Sequence, residues 1–258
     1  MIQLFKKVRR KLLNNNRLRS YFFYAVGEIV LVMLGIVLAI QFSNWNEKRN
    51  EVKKEIWYLD NIANDMFAQK QDLVSLKKAF AETLDISNQL LLDYIQLKDY
   101  TKIDSLSVKL NNLMVTYAFP NIDNTYSELL SSGQVQLIEN DDLLSEIIDF
   151  YLTTEEYEIL FQTNEKQVFY GEVYRVLNKY AEIDLSEYAD DESFLTKDET
   201  VQNYILNELR KPKVKLELTN AIKNKIIIVK DYLETVDESV EWADKMIEAI
   251  DDEIEKLK

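Results

Sequence analysis

Residues 21–42 (YFFYAVGEIVLVMLGIVLAIQF) run for 22 positions with a single charge, Glu28. A helix rises 1.5 Å per residue, so roughly 20 apolar residues cross the ~30 Å hydrocarbon layer of a membrane. The run is long enough, and no other stretch of the chain is comparably apolar, which sets it apart from a buried core helix. Residues 1–20 hold Lys6, Lys7, Arg9, Arg10, Lys11, Arg17 and Arg19 and no acid. Positive charge beside a span stays on the cytoplasmic side, which predicts an inside amino terminus and an exported remainder. A cleaved signal peptide would have only about 7–15 apolar residues before a small-x-small site. Leu38-Ala39-Ile40-Gln41-Phe42 is a poor site, so the run reads as an uncleaved signal anchor. Three regions follow: a basic cytoplasmic tail (1–20), a transmembrane anchor (21–42) and an exported domain (43–258).

The exported part is 216 residues long, enough for one sizeable domain or two small ones. Seven of the 31 basic residues precede the span and Glu28 lies within it. That leaves 24 basic and 44 acidic residues outside, a net of −20. So acidic a surface repels nucleic acid and anionic lipid as partners of the exported body. The sequence has no Cys and no His. Disulfides, thiol nucleophiles, His-dependent triads and ordinary zinc sites are thereby excluded. Four Gly and two Pro are too few for a sheet fold or a phosphate-cradling loop, and no Walker, dinucleotide-binding or nucleophile-elbow pattern occurs. No catalytic, cofactor-binding or metal-binding residue is assigned, no cofactor is expected, and the chain is not read as an enzyme.

Helical periodicity fills the rest. Ile2, Phe5, Val8 and Leu12 share one face of a short basic amphipathic helix suited to an anionic inner leaflet. Val52, Ile56, Leu59, Ala63, Met66, Leu73, Phe80, Leu84, Leu91 and Tyr94 hold a 4-3 register, with Lys70, Lys77 and Ser87 at its other sites. They predict one long helix over 44–97, open to continuity with the span. Ile222, Ile226, Val229, Leu233, Val236, Val240, Ala243, Ile247, Ile250, Ile254 and Leu257 hold the same register without a polar break. Such a stripe reads as a coiled-coil or long-bundle seam, and Pro212 suits the first turn of its helix. Shorter helices are expected over 103–117, 125–132, 141–180 and 197–210. Asn140 serves as an N-cap, Thr196 with Glu199 as a capping box, and Gly133 as a left-handed stop. Asp184 to Lys197 reads as the loop. The fold class is all-α: one N-terminal transmembrane helix, then an elongated antiparallel bundle with long coiled-coil-like helices whose first and last members pair.

Within the span, Glu28, Val32, Gly35 and Ala39 share a face, and Gly35 with Ala39 forms a small-xxx-small pair that lets two helix backbones approach. They are the candidate transmembrane packing residues. Trp45 is the candidate interface anchor. Carboxylate clusters at Asp141-Asp142, Glu155-Glu156-Glu158, Asp190-Asp191-Glu192 and Asp251-Asp252-Glu253 lack calcium-loop spacing and read as solvated faces.

Gly27-Glu28-Ile29, Leu31-Val32, Gly35-Ile36, Ala39 and Asn44-Trp45-Asn46-Glu47 resemble the amino-terminal signature of an uncharacterised bacterial family of single-pass membrane proteins, a domain of unknown function. Asn124-Thr125-Tyr126-Ser127-Glu128-Leu129-Leu130-Ser131-Ser132-Gly133, with Leu137-Ile138, is similar to its second signature. The resemblance implies a helical domain on one anchor and supplies no activity. Tyr126, Ser131, Ser132 and Gly133 become the candidate partner or ligand surface; core packing is the commoner use of the many aromatics nearby. The expected protein is a non-enzymatic scaffold or accessory subunit of the bacterial inner membrane. It would bind a protein partner or further copies of itself through its periplasmic bundle. The competing expectation is a periplasmic ligand sensor that relays to a separate partner, its small molecule unspecified.

Overall fold

A computed structural model describes residues 18–185 and 198–258. The basic amphipathic helix expected over residues 2–13, most of the 184–197 loop and the Thr196 cap lie outside the described residues. No strand occurs among those described. The chain divides into two compact units, Met1–Trp57 and Tyr58–Lys258.

The first unit is the start of helix α1, Leu18–Leu97, which forms without a break through the span and the predicted long helix. From Val26 to Phe42 every side chain is exposed. Water does not tolerate such a surface, so this helix has the length and composition of a membrane anchor.

The second unit holds the rest of α1 and six further helices among the described residues. These are α2 (Leu106–Asn112), α3 (Asn124–Ser131), α4 (Asp141–Asn164), α5 (Arg175–Tyr180), α6 (Glu199–Leu209) and α7 (Pro212–Leu257). Helix α1 stops at Lys98, whose φ of 56° is left-handed. Asp99 then accepts from the Thr101 amide and hydroxyl and opens a 3-10 turn, Tyr100–Lys102. Ser105, at φ 52°, resets the direction before α2. The helix expected over 103–117 is therefore shortened to the two turns of α2. Asn140 caps α4 by accepting from the Leu143 amide at 3.2 Å. Pro212 occupies the first turn of α7, where its missing N–H has no partner to lose. Helix α6 starts on Asp198, which accepts from the Thr200 amide.

Both long helices are periodic as predicted: Leu59, Ala63, Met66, Leu73, Phe80 and Ser87, and Ile222, Val229, Val236, Ala243, Ile250 and Ile254, are buried as expected, while most of the alternate positions of each register are displaced by one residue. On α1 the buried set is Glu55, Tyr58, Leu59, Ile62, Ala63, Met66, Gln69, Leu73, Leu76, Phe80, Thr83, Ser87 and Leu90. On α7 it is Val214, Leu218, Ala221, Ile222, Lys225, Ile228, Val229, Tyr232, Val236, Ser239, Ala243, Met246, Ile250, Glu253 and Ile254. Leu84, Leu91, Ile226, Leu233 and Val240 lie on the flank, partly buried. The physical reason is that each helix touches several neighbours, so its apolar arc is wider than a two-helix seam and polar residues fall inside it. Lys70 and Lys77, moved to the edge, pair with Asp244 and Asp237. As the α1 partner advances by seven residues the α7 partner recedes by seven, so the two helices run antiparallel. Helix α7 packs most closely, however, on α4 and the segment after it.

Candidate functional site

The second signature is held from a distance. Asp65 and Gln69, one turn apart on α1, accept from the backbone amides of Thr125 (2.9 Å) and Ile122 (3.2 Å). The first turn of α3 is thus capped by a carboxylate from another helix, which satisfies an amide that has no intrahelical partner. Tyr126 is buried and stacks on Tyr151, ring centroids 4.4 Å apart and 8° from parallel. Ser131 and Ser132 are exposed, and their hydroxyls donate to the carbonyls of Glu128 and Leu129 three residues back. Gly133 takes φ +68°. Its amide donates to Leu130 and that of Gln134 to Leu129, the two bonds of a Schellman stop. Beyond it lies an open depression of about 660 Å³ lined by Gly133, Val135, Gln136, Ile138, Glu139, Asp141 and Leu144. Of the four residues singled out from the signature, then, Gly133 lines a depression, Tyr126 packs inward and the serines bond their own helix.

In the first unit Glu28, Val32, Gly35 and Ala39 are all exposed along α1, and a Cβ built on Gly35 meets nothing within 4 Å. Trp45 is exposed, with the Phe42 ring 5.7 Å away and the Arg49 guanidinium 5.8 Å above it.

A third arrangement was not singled out from the sequence. Helix α4 does not simply continue to Tyr180: Glu165–Tyr174 is a ten-residue π-helix between α4 and α5. Bonds from i to i+5 make each turn take up more than four residues. Phe161, Glu165, Phe169, Val173, Leu177 and Ala181 recur every fourth position and stay inward, all but Glu165 buried and Glu165 half-buried. In an α-helix that spacing would drift about 40° per step off the face. Facing this segment is Lys225 of α7, 4 % exposed. Its ammonium donates to the Val115 carbonyl at 2.8 Å and sits 4.2 Å from the Phe169 ring centroid. Burial pushes the amine down to about 8, against the opposing pull of Glu165. Burial likewise raises the Glu165 carboxyl, while Lys225 and the Tyr117 amide hold it down. One Glu165 oxygen, Oε1, is buried with no hydrogen-bond partner among the described residues. Against this pair stands an aromatic stack: Phe161 lies 3.7 Å from Tyr232, with Phe80 and Phe119 at its edges. The Tyr232 hydroxyl donates to the Phe161 carbonyl at 3.3 Å, and burial first, then Glu165, raises its pKa. The arrangement sets a buried amine and a half-buried carboxyl in one apolar, aromatic surrounding, and burial pushes each toward its neutral form. Two signals for it lay in the sequence: the four-residue recurrence through 161–181, and a lysine three past Ile222 and four before Val229.

A family of unknown function, DUF6090, matches the chain over residues 28–187, more than half its length. The chain belongs to this family. No curated protein and no solved structure matches it significantly. The DUF6090 region takes in Glu28, Val32, Gly35, Ala39, Trp45, the whole second signature and the π segment. It ends before α6 and α7, so Glu165 lies inside the DUF6090 region and Lys225 outside it.

Proposed function

We propose that this chain is a non-enzymatic, single-pass membrane protein that serves as an envelope scaffold or accessory subunit. Its helical domain binds a protein partner or further copies of the chain. The amino terminus is cytoplasmic and the domain periplasmic, as the seven basic residues before the span favour. The observation that carries the reading is the exposed apolar surface that the domain keeps after folding. Helix α6 buries Leu209 and leaves Val201, Tyr204 and Leu206 exposed; α4 leaves Leu152, Ile159 and Leu160 exposed. Sets of this kind are what protein partners cover. The absence of Cys and His from the sequence supports a binding role over a chemical one.

The test is purification of the full chain from cross-linked membranes in mild detergent. A second protein or a multimer should co-purify and be lost in the Val201→Glu/Tyr204→Glu variant. A strictly solitary monomer ends the scaffold reading. The sensor alternative draws support from the open depression beside Gly133. A small molecule that raises the thermal stability of the wild type and not of a Gln136→Ala/Glu139→Ala variant would favour it.

A further inference from the structure

We infer that the helical turns following the span carry a docking row for anionic phospholipid, in whichever leaflet they emerge. This rests on the reading of residues 21–42 as a span. Trp45, Arg49 and Lys53 follow one another at four-residue spacing, and Trp57 continues the row. Glu47, Glu51 and Glu55 form a second row offset from the first by two residues. At 3.6 residues per turn that offset is about 200°, so the acids lie on the opposite side of the helix. Neither Arg49 nor Lys53 has an ion-pair partner among the described residues. Residues 43–57 hold four basic and three acidic side chains, so the acidity of the chain lies elsewhere.

Position and direction fit a phosphate. Trp45 lies three residues past Phe42, about 4.5 Å along the axis, where the hydrocarbon gives way to headgroups. Arg49 lies about 6 Å further on. Helix side chains lean toward the amino terminus, which here is the membrane side. The 5.8 Å approach of the Arg49 guanidinium to the Trp45 ring shows that lean. Trp45 is 58 % exposed, so its ring is free to enter the interface while its neighbour's guanidinium takes the phosphate oxygens. Lys53, a turn beyond, adds longer-range attraction.

The experiment uses the full chain in nanodiscs of phosphatidylcholine containing either no or about one-third phosphatidylglycerol, with retained lipid counted by native mass spectrometry after release. The wild type should hold phosphatidylglycerol in preference to phosphatidylcholine. Arg49→Gln/Lys53→Gln should lower that preference by about fivefold or more, since each juxtamembrane cation contributes a factor of that order. Lys54→Gln, on the acidic side, should leave it unchanged. Equal retention of the two lipids by the wild type overturns the proposal, as does a preference that survives the double substitution or falls equally with Lys54→Gln. Alkaline carbonate extraction is run in parallel. Release of the wild type from membranes would remove the span, and this proposal with it. Retention of the wild type with no lipid preference would remove the docking row alone.

Discussion

The buried amine of Lys225 makes stability depend on pH in an unusual direction. It titrates at about 8 in the fold, against an ordinary value of 10.5. Below pH 8 both folded and unfolded chains hold the proton, and this group contributes no slope. Between the two values the unfolded chain holds the proton that the fold has released, so stability climbs as pH rises. At 1.36 kcal/mol per pH unit for one proton, the climb from about pH 7 to about pH 9.5 amounts to ~2 kcal/mol. Near pH 10 the trend reverses. Burial holds Tyr100 up to about 12 and raises Tyr151 and Tyr232, so the unfolded chain ionises first there. Urea unfolding of the full chain in detergent, followed by helical circular dichroism at about pH 7, 8.5 and 9.5, measures the window. The wild type should gain ~2 kcal/mol and Lys225→Met/Glu165→Gln should stay flat. At pH 7 the double variant should match or exceed the wild type, because an apolar replacement of a buried charged pair is often neutral or stabilising by about 1–4 kcal/mol. A flat wild-type profile, or an identical rise in the variant, would refute the assignment.

Gly133→Ala should lose about 1–2 kcal/mol, all of it backbone strain at φ +68° because the added Cβ meets no atom within 4 Å. Gly171→Ala, inside the π segment with the Lys166 carbonyl 3.8 Å from the new Cβ, should be neutral or gain up to ~1 kcal/mol; thermal melts compare the two. Tyr151→Phe should be neutral or stabilising by ~1 kcal/mol, since the buried hydroxyl has no hydrogen-bond partner among the described residues, and a clear loss would contradict this. Phe161→Ala, at the centre of the aromatic stack, should cost about 3–5 kcal/mol in chemical denaturation.

Helix existence was legible because so few Gly and Pro interrupt the chain and because local caps act within a few residues. Asn140, Gly133 and Pro212 stand at the helix ends where their chemistry places them. The rotational phase of the long helices was legible only in part: Leu59, Met66, Leu73, Val229 and Val236 are buried as their spacing indicates, but the centre of each arc is displaced. An apolar pattern shows the centre of its arc only when one neighbour covers it. Here Gln69, Thr83, Lys225 and Ser239 are buried by several neighbours while Leu84, Leu91 and Ile226 sit at the margin. The π segment escaped for a related reason, since a residue every four positions fits loosely to an α-helix unless the drift is followed over five steps. Tyr126 illustrates the limit for the site: a signature tyrosine reads alike whether it faces a ligand or, as here, another ring. The remote cap of α3 could not be found locally, because Asp65 lies 60 residues before the amide it receives.

The antiparallel ion pairs have a consequence for how the chain is made. Lys70 and Asp244 are separated by 174 residues, so α1 leaves the ribosome long before its partner helix exists. Domains acquire structure as synthesis proceeds, and surface awaiting late cover is the part exposed to misassembly. Phe80, which packs on Tyr232 as well as on Phe161, therefore lacks part of its cover until Pro212–Leu257 has been translated. A ribosome stalled before Pro212 would leave a tethered nascent chain with that surface open, a natural client for chaperones and proteases.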